Sequence, residues 1–131
     1  MQAVLVHVVV GIVKRDGKML VAERPQGKPY SGYWEFPGGK IEPNETGYQA
    51  LSRELHEELG IHVESAHHWF QHTHHYPDKT VILELWLVEK FSDEPHSKEN
   101  QQLRWVYLAE LLDLKLLEGN WFIVDKLKTL F

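Results

Sequence analysis

Residues 38–61 read GGKIEPNETGYQALSRELHEELGI. The stretch opens on two glycines, crosses a polar loop and turns helical. Thr46 with Gln49 three residues on forms a capping box. Gly60 stands where a left-handed glycine ends a helix. Between them Leu51, Leu55 and Leu59 recur at i, i+4, i+8, the stripe of a helix with one face on a core. The pattern predicts a helix over 46–59. The spacing of Glu54, Glu57 and Glu58 (i, i+3, i+4) gathers three carboxylates on one sector, at a cost of a few tenths of a kcal/mol per like-charged pair. Glu42 and Glu45 add acid in the loop, and Arg53 can pair with only part of the cluster. Such a face is either simply solvated or holds a hard divalent cation such as Mg²⁺, which takes oxygen ligands and keeps waters and phosphate oxygens. The helix alone does not separate the two readings. The glycine pair favours the ion, because Gly38-Gly39 lets backbone approach a ligand without a Cβ. One of its carbonyls can serve as a ligand, and Lys40 supplies a cation beside phosphate.

Outward from this segment, Ala3 to Val13 is valine-rich and reads as a mostly buried strand. Arg15-Asp16-Gly17-Lys18 is a hairpin turn, and Met19 to Glu23 the returning strand. Arg24 to Tyr33, with two prolines and two glycines, is a loop. Trp34-Glu35-Phe36 is a short extended piece that Pro37-Gly38-Gly39 ends. Downstream, His62 to Tyr76 and Thr80 to Phe91 read as strands around Pro77-Asp78-Lys79. Val81, Leu83, Leu85 and Leu87 alternate as a strand requires. Ser92 to Gln102 is a polar loop and Leu103 to Leu108 a last strand. Leu111 to Leu117 is ambiguous, and Leu114, Leu116 and Leu117 suit either a core or a partner surface. Asn120 to Leu130 reads as a C-terminal helix, with Lys126 and Lys128 suited to its macrodipole. Strands outnumber helices without regular alternation, so the expectation is a mixed α+β sheet with helices packed on it.

The chain has 131 residues, 43% hydrophobic and 25% charged, the composition of one globular domain. The expectation is a single domain over 1–131. No apolar run reaches the ~20 residues of a membrane span, and no secretory signal is visible. Without cysteine there are no disulfides and no thiolate chemistry, which suits a cytoplasmic setting. A net charge of −5 and a pI near 6.0 argue against a partner such as polymeric nucleic acid. They leave room for a small phosphorylated ligand bridged by divalent ions. His67, His68, His72, His74 and His75 lack the helical HExxH arrangement and read as ordinary strand or surface residues. Trp34, Trp69, Trp86, Trp105 and Trp121 read as packing rather than a stacking platform. Phe36, beside the glycine loop, is the candidate for stacking on a base.

Gly39, five residues, Glu45, seven residues, then Arg53-Glu54-Leu55-His56-Glu57-Glu58-Leu59-Gly60-Ile61 resembles the complete Nudix box, with every fixed position filled over 23 residues. The family is one of hydrolases that cleave nucleoside diphosphates linked to another group. The resemblance implies the Nudix fold, an α/β/α sandwich around a mixed β-sheet. It implies Glu54, Glu57 and Glu58 as metal-binding and catalytic carboxylates, the Gly38 carbonyl as a ligand, and Arg53 as the orienter of a glutamate. Mg²⁺ is the implied cofactor, with Mn²⁺ a possible substitute.

The likeness extends to the MutT-type branch that hydrolyses 8-oxo-dGTP, sanitising the nucleotide pool. Trp34 to Glu42 is close to its entry loop, and Tyr76-Pro77-Asp78-Lys79 with Leu85-Trp86-Leu87-Val88-Glu89 resembles its next hairpin. Glu94-Pro95 with Lys98-Glu99 resembles its acidic loop. Asn120 before Ile123-Val124-Asp125-Lys126-Leu127-Lys128 resembles its base-reading asparagine and final helix. Glu99 is thereby an added ligand or base. Arg24, Glu35, Phe36, Pro37, Gly38, Lys40, Asp78, Lys79 and Asn120 are the implied contacts to a nucleoside triphosphate, handled by a monomer. Two departures stand out: Lys79 replaces an expected arginine, whose planar fork an ammonium lacks, and Pro25 to Tyr33 differs from the branch pattern. Arg24 is otherwise an ordinary loop arginine, and Asn120 otherwise a helix cap. The other readings are a Nudix enzyme for CTP or a modified dCTP, and a non-catalytic Nudix ligand sensor.

Overall fold

The computed structural model describes residues 4–130; Met1 to Ala3, including the first residue of the expected N-terminal strand, and Phe131 lie outside them. Strand β1 (Val4–Arg15) turns through Asp16 and Gly17, both at positive φ (52° and 77°), into β2 (Lys18–Glu23). Two such residues make the turn that suits right-twisted hairpins. Strand β3 (Trp34–Glu35) then pairs with β2.

The extended piece ends at Glu35, but the glycines after it are not a turn. Gly38–Lys40 forms its own strand, β4, antiparallel to β1 at Val8, Val9 and Val10. A Cβ on Gly38 would overlap the Val9 carbonyl oxygen. Glycine here marks a close strand approach, not a stop. Helix α1 (Gly47–Leu59) follows with the expected capping box, and Gly60 closes it at φ 72°.

Strands β5 (His62–His75) and β6 (Lys79–Ser92) form a long hairpin, and β6 runs parallel to β1 from Val4↔Lys79 to Val13↔Val88. Strand β7 (Leu103–Val106) pairs with β2. The sheet order is β3-β2-β1-β6-β5, with β4 beside β1 and β7 beside β2. A parallel pair at the centre of antiparallel neighbours makes the sheet mixed, as expected.

Alternation along β1 sends side chains to two cores. Val9 and Val13 pack with Leu51, Leu55 and Leu59 of α1. Val10 and Ile12 pack on the other face with Leu111 of α2 (Leu108–Leu111) and Ile123, Val124 and Leu127 of α3 (Trp121–Leu127). Helices on both faces complete the α/β/α arrangement.

Three expectations are corrected and one open reading is resolved. Val4 and Leu5 are each 63% exposed, because both cores begin further along β1. The last strand stops at Val106, since Tyr107 accepts the N-cap position of α2 with its N–H bonded to Glu110. Within Leu111 to Leu117, Leu111 and Leu116 are buried and backbone bonds on both sides of Leu116 tie it to Trp34, so these two leucines belong to the core while Leu112 is 44% exposed. The C-terminal helix spans only Trp121–Leu127, after a 3₁₀ turn at Glu118–Asn120.

Candidate active site

Helix α1 presents its carboxylates to β4 and to the loop between them. Arg53 organises that junction. Its guanidinium donates to both oxygens of Glu45 (2.7 and 2.9 Å), to Glu54 (2.9 Å) and to the Lys40 carbonyl (3.0 Å). Glu57 lies at 3.5 Å and Glu42 at 3.8 Å. The paired guanidinium holds the Glu45 carboxyl down at about 2. The same contacts raise the affinity of Arg53 for its proton, so it stays charged. Such a bidentate bond fixes direction as well as charge, locking loop to helix.

Opposite Arg53, Glu58 accepts the Gly38 N–H at 3.2 Å. Burial, then the nearby charges of Glu54 and Glu99, push its carboxyl up to about 8. Glu54 is also raised, by burial first, against the pull of Arg53. Glu35 is raised by burial, with Arg24 opposing. The acidic loop is stapled to the end of α1 by the Lys98 and His96 N–H groups, which donate to the Glu58 and Leu59 carbonyls. That staple brings exposed Glu99 toward Glu58. Gly39 is required by the same geometry, because a Cβ there would fall on the Glu54 carboxylate.

Glu35, Pro37, Gly38, Glu58 and Glu99 line one cleft of about 460 Å³ with Arg24 and Phe36. Arg24 also borders a second cleft of about 470 Å³, lined by Tyr30, Tyr33, Tyr76 and Asn120. A third, of about 220 Å³, runs between them past Glu35, Phe36, Gly38, Tyr76 and Asn120. Shared walls make one trough, acidic at the α1 end and aromatic at the α3 end. Asn120 does not cap α3 with its side chain; its Oδ1 accepts the Phe36 N–H at 3.3 Å.

The expected residues are not all gathered here. Lys40 is exposed at the end of β4, held through its carbonyl. Asp78, in the β5–β6 turn, and Lys79, the first residue of β6, are exposed, and the Lys79 ammonium lies 5.4 Å from the centre of the Tyr76 ring. Tyr76 is the residue of that turn that lines the trough. Lys28 and Gln101 also line its acidic end, and sequence reasoning missed both. Neither sits in a periodic element; a lysine beside Pro25 and Pro29 is the only trace Lys28 leaves.

The donors around Glu58 are carboxylate oxygens and backbone, the set a hard divalent ion takes. Among the described residues no three acidic, histidine or cysteine side chains converge as a ready cage. The reason is visible: Arg53 draws Glu54 and Glu57 to itself while Glu58 turns to Gly38. Charge nonetheless fits an ion, since the neighbouring carboxylates Glu54, Glu99 and Glu35 all press on Glu58 and a bound cation would offset them.

Comparison with known proteins agrees with this layout. The NUDIX domain family profile matches residues 5–127. The chain is 39% identical to the CTP pyrophosphohydrolase of Escherichia coli K12, over 86% of this chain and 83% of the relative. It is 34% identical to the 8-oxo-dGTP diphosphatase of the same strain, over 95% and 97%. Among solved structures, the E. coli ORF135 protein superposes with a TM-score of 0.87 at 35% identity, covering 98% of this chain and 91% of that one. A MutT structure described for Aliivibrio salmonicida and Vibrio cholerae gives 0.84 at 33%, covering 97% and 99%. With its box intact on β4 and α1 and its sheet sandwiched between helices, the chain belongs to the NUDIX family of hydrolases.

Proposed function

We propose that the protein hydrolyses 8-oxo-dGTP, and dGTP more weakly, to the nucleoside monophosphate and pyrophosphate with Mg²⁺, Mn²⁺ serving as a possible substitute. The observation that carries this reading is the placement of Asn120. Its carbonyl is turned to Phe36, which leaves the amide NH₂ as the free end at the aromatic part of the trough. Oxidised guanine offers O6 as acceptor and N7–H as donor. Asn120 can donate to the first and, through the second lone pair of Oδ1, accept from the other.

At the acidic end Glu58, Glu54, Glu57 and Glu99 with the Gly38 carbonyl would hold the ion. Mg²⁺ held by these residues would supply neutralisation of phosphate charge and a more acidic water. Arg53 would position Glu54 and Glu57, to which its guanidinium donates. Glu54 is the candidate general base, its carboxyl raised by burial against the pull of Arg53. Arg24 and Lys28 are the cations placed to meet the remaining phosphates.

The 39% identity to a protein named CTP pyrophosphohydrolase supports a second reading, a cytosine base in the same trough. Pyrophosphate release from 8-oxo-dGTP tests the reaction itself: chelation abolishes it and Mg²⁺ restores it. Activity that survives exhaustive chelation contradicts the proposal.

A further inference from the structure

Beyond the aromatic end of the trough lies another cavity, of about 390 Å³, lined by His72, His74, Tyr76 and Phe122 among others. His72 and His74 alternate at the end of β5, so both side chains leave one face of the strand, and Tyr76 follows just beyond it. The two imidazole centres are 6.3 Å apart with planes tilted by 30°, and the Tyr76 ring lies 4.4 Å from His74. The His72 ring is stacked on Phe122 at 4.0 Å. Among the described residues neither imidazole makes a hydrogen bond, so its nitrogens are open to a ligand.

We infer that His72 and His74, with the Tyr76 phenol beside them, form a binding site for a borderline-soft divalent ion such as Zn²⁺, separate from the carboxylate site. Imidazole suits Zn²⁺, Ni²⁺ and Cu²⁺, whereas Mg²⁺ prefers oxygen. Two rings bound by nitrogen to one tetrahedral ion sit roughly 5 Å apart, given a Zn–N distance of about 2.1 Å. Exposed His74 therefore needs to swing by only about 1 Å toward the stacked His72.

The site has a consequence for the trough. Tyr76 lines this cavity and both clefts next to Asn120. An ion that engages Tyr76 narrows the aromatic end, so Zn²⁺ raises the KM for the nucleotide. This consequence rests on the proposed function, while binding of the ion does not.

The test titrates the full-length protein with Zn²⁺ in excess Mg²⁺, following imidazole NMR signals and heat. His72 and His74 signals move first, and H74Q and H72Q each weaken Zn²⁺ binding at least about ten-fold, while H67Q leaves it unchanged. H74Q substitutes an exposed side chain, so its folding is not in question even if H72Q disturbs the Phe122 stack. Zn²⁺ binding unchanged in both variants, or signals moving equally across the other histidines, overturns the site. Zn²⁺ bound there without a rise in KM overturns the coupling to the trough. A chain inactive on every nucleotide but still binding Zn²⁺ through His72 and His74 upholds the site and refutes the hydrolase reading alone.

Discussion

Glu58 sits at the acidic end of the trough with one backbone donor at 3.2 Å, and the carboxylates of Glu54, Glu99 and Glu35 act on it. Glu58→Gln keeps the side chain's size but removes the charge a hard ion needs. The expected loss in kcat is at least ~10²-fold with the fold intact; near-wild-type turnover at saturating Mg²⁺ contradicts the assignment. The same residue gives a pH signature. Its folded carboxyl stands at about 8 against an ordinary 4.5, so the folded state binds the proton more tightly than the unfolded chain. Stability from this group is fully present below about 4.5 and is lost as pH rises through about 8. Raised Glu35 and Glu54 act in the same direction. Calorimetry on metal-free protein should show Tm falling between pH 5 and 8, with Mg²⁺ restoring it most at the alkaline end. A Tm insensitive to Mg²⁺ at pH 8 speaks against an ion among these carboxylates.

At the scale of elements, the two glycines of β4 have different work to do. A methyl on Gly38 meets the Val9 backbone, which cannot move aside, whereas one on Gly39 meets the end of a Glu54 side chain. Gly38→Ala is expected to cost about 1–3 kcal/mol of stability, and Gly39→Ala to leave stability nearly unchanged while displacing Glu54 and lowering kcat. Denaturant unfolding together with turnover separates the two; equal effects on both measures refute the distinction. The helix that follows was legible in advance, since Thr46, Gln49, the leucine stripe and Gly60 are local signals that packing only reinforces. Strand β4 was not, because Gly-Gly signals a turn locally and only the close passage of Val9 makes it a strand. Lys28, Gln101 and Tyr76 were hidden for the same reason. They reach the trough by tertiary placement, and no spacing in the chain records it. Asn120 was legible as two roles, and the Phe36 contact decides against the side-chain cap.

Over the whole molecule, the sheet separates two tasks. Helix α1, on one face, brings the carboxylates to β4; α3, on the other, brings Asn120 to the Phe36 backbone. The trough joins the two, so under the proposed function the base would be read on a different layer from the one that holds the phosphates. Changes at Asn120 should therefore alter nucleotide preference and leave the acidic end untouched. A bidentate asparagine contact discriminates by ~1–3 kcal/mol, and an unpaired amide oxygen facing the N7 lone pair of ordinary guanine adds to it. The direct measurement is kcat/KM for 8-oxo-dGTP, dGTP and CTP with Mg²⁺, on the unaltered protein and on Asn120→Ala. The expected result is a much lower KM for 8-oxo-dGTP than for dGTP, with the gap narrowed in Asn120→Ala chiefly through weaker 8-oxo-dGTP binding. A preference for CTP, or a ratio of 8-oxo-dGTP to dGTP that Asn120→Ala leaves unchanged, would contradict it.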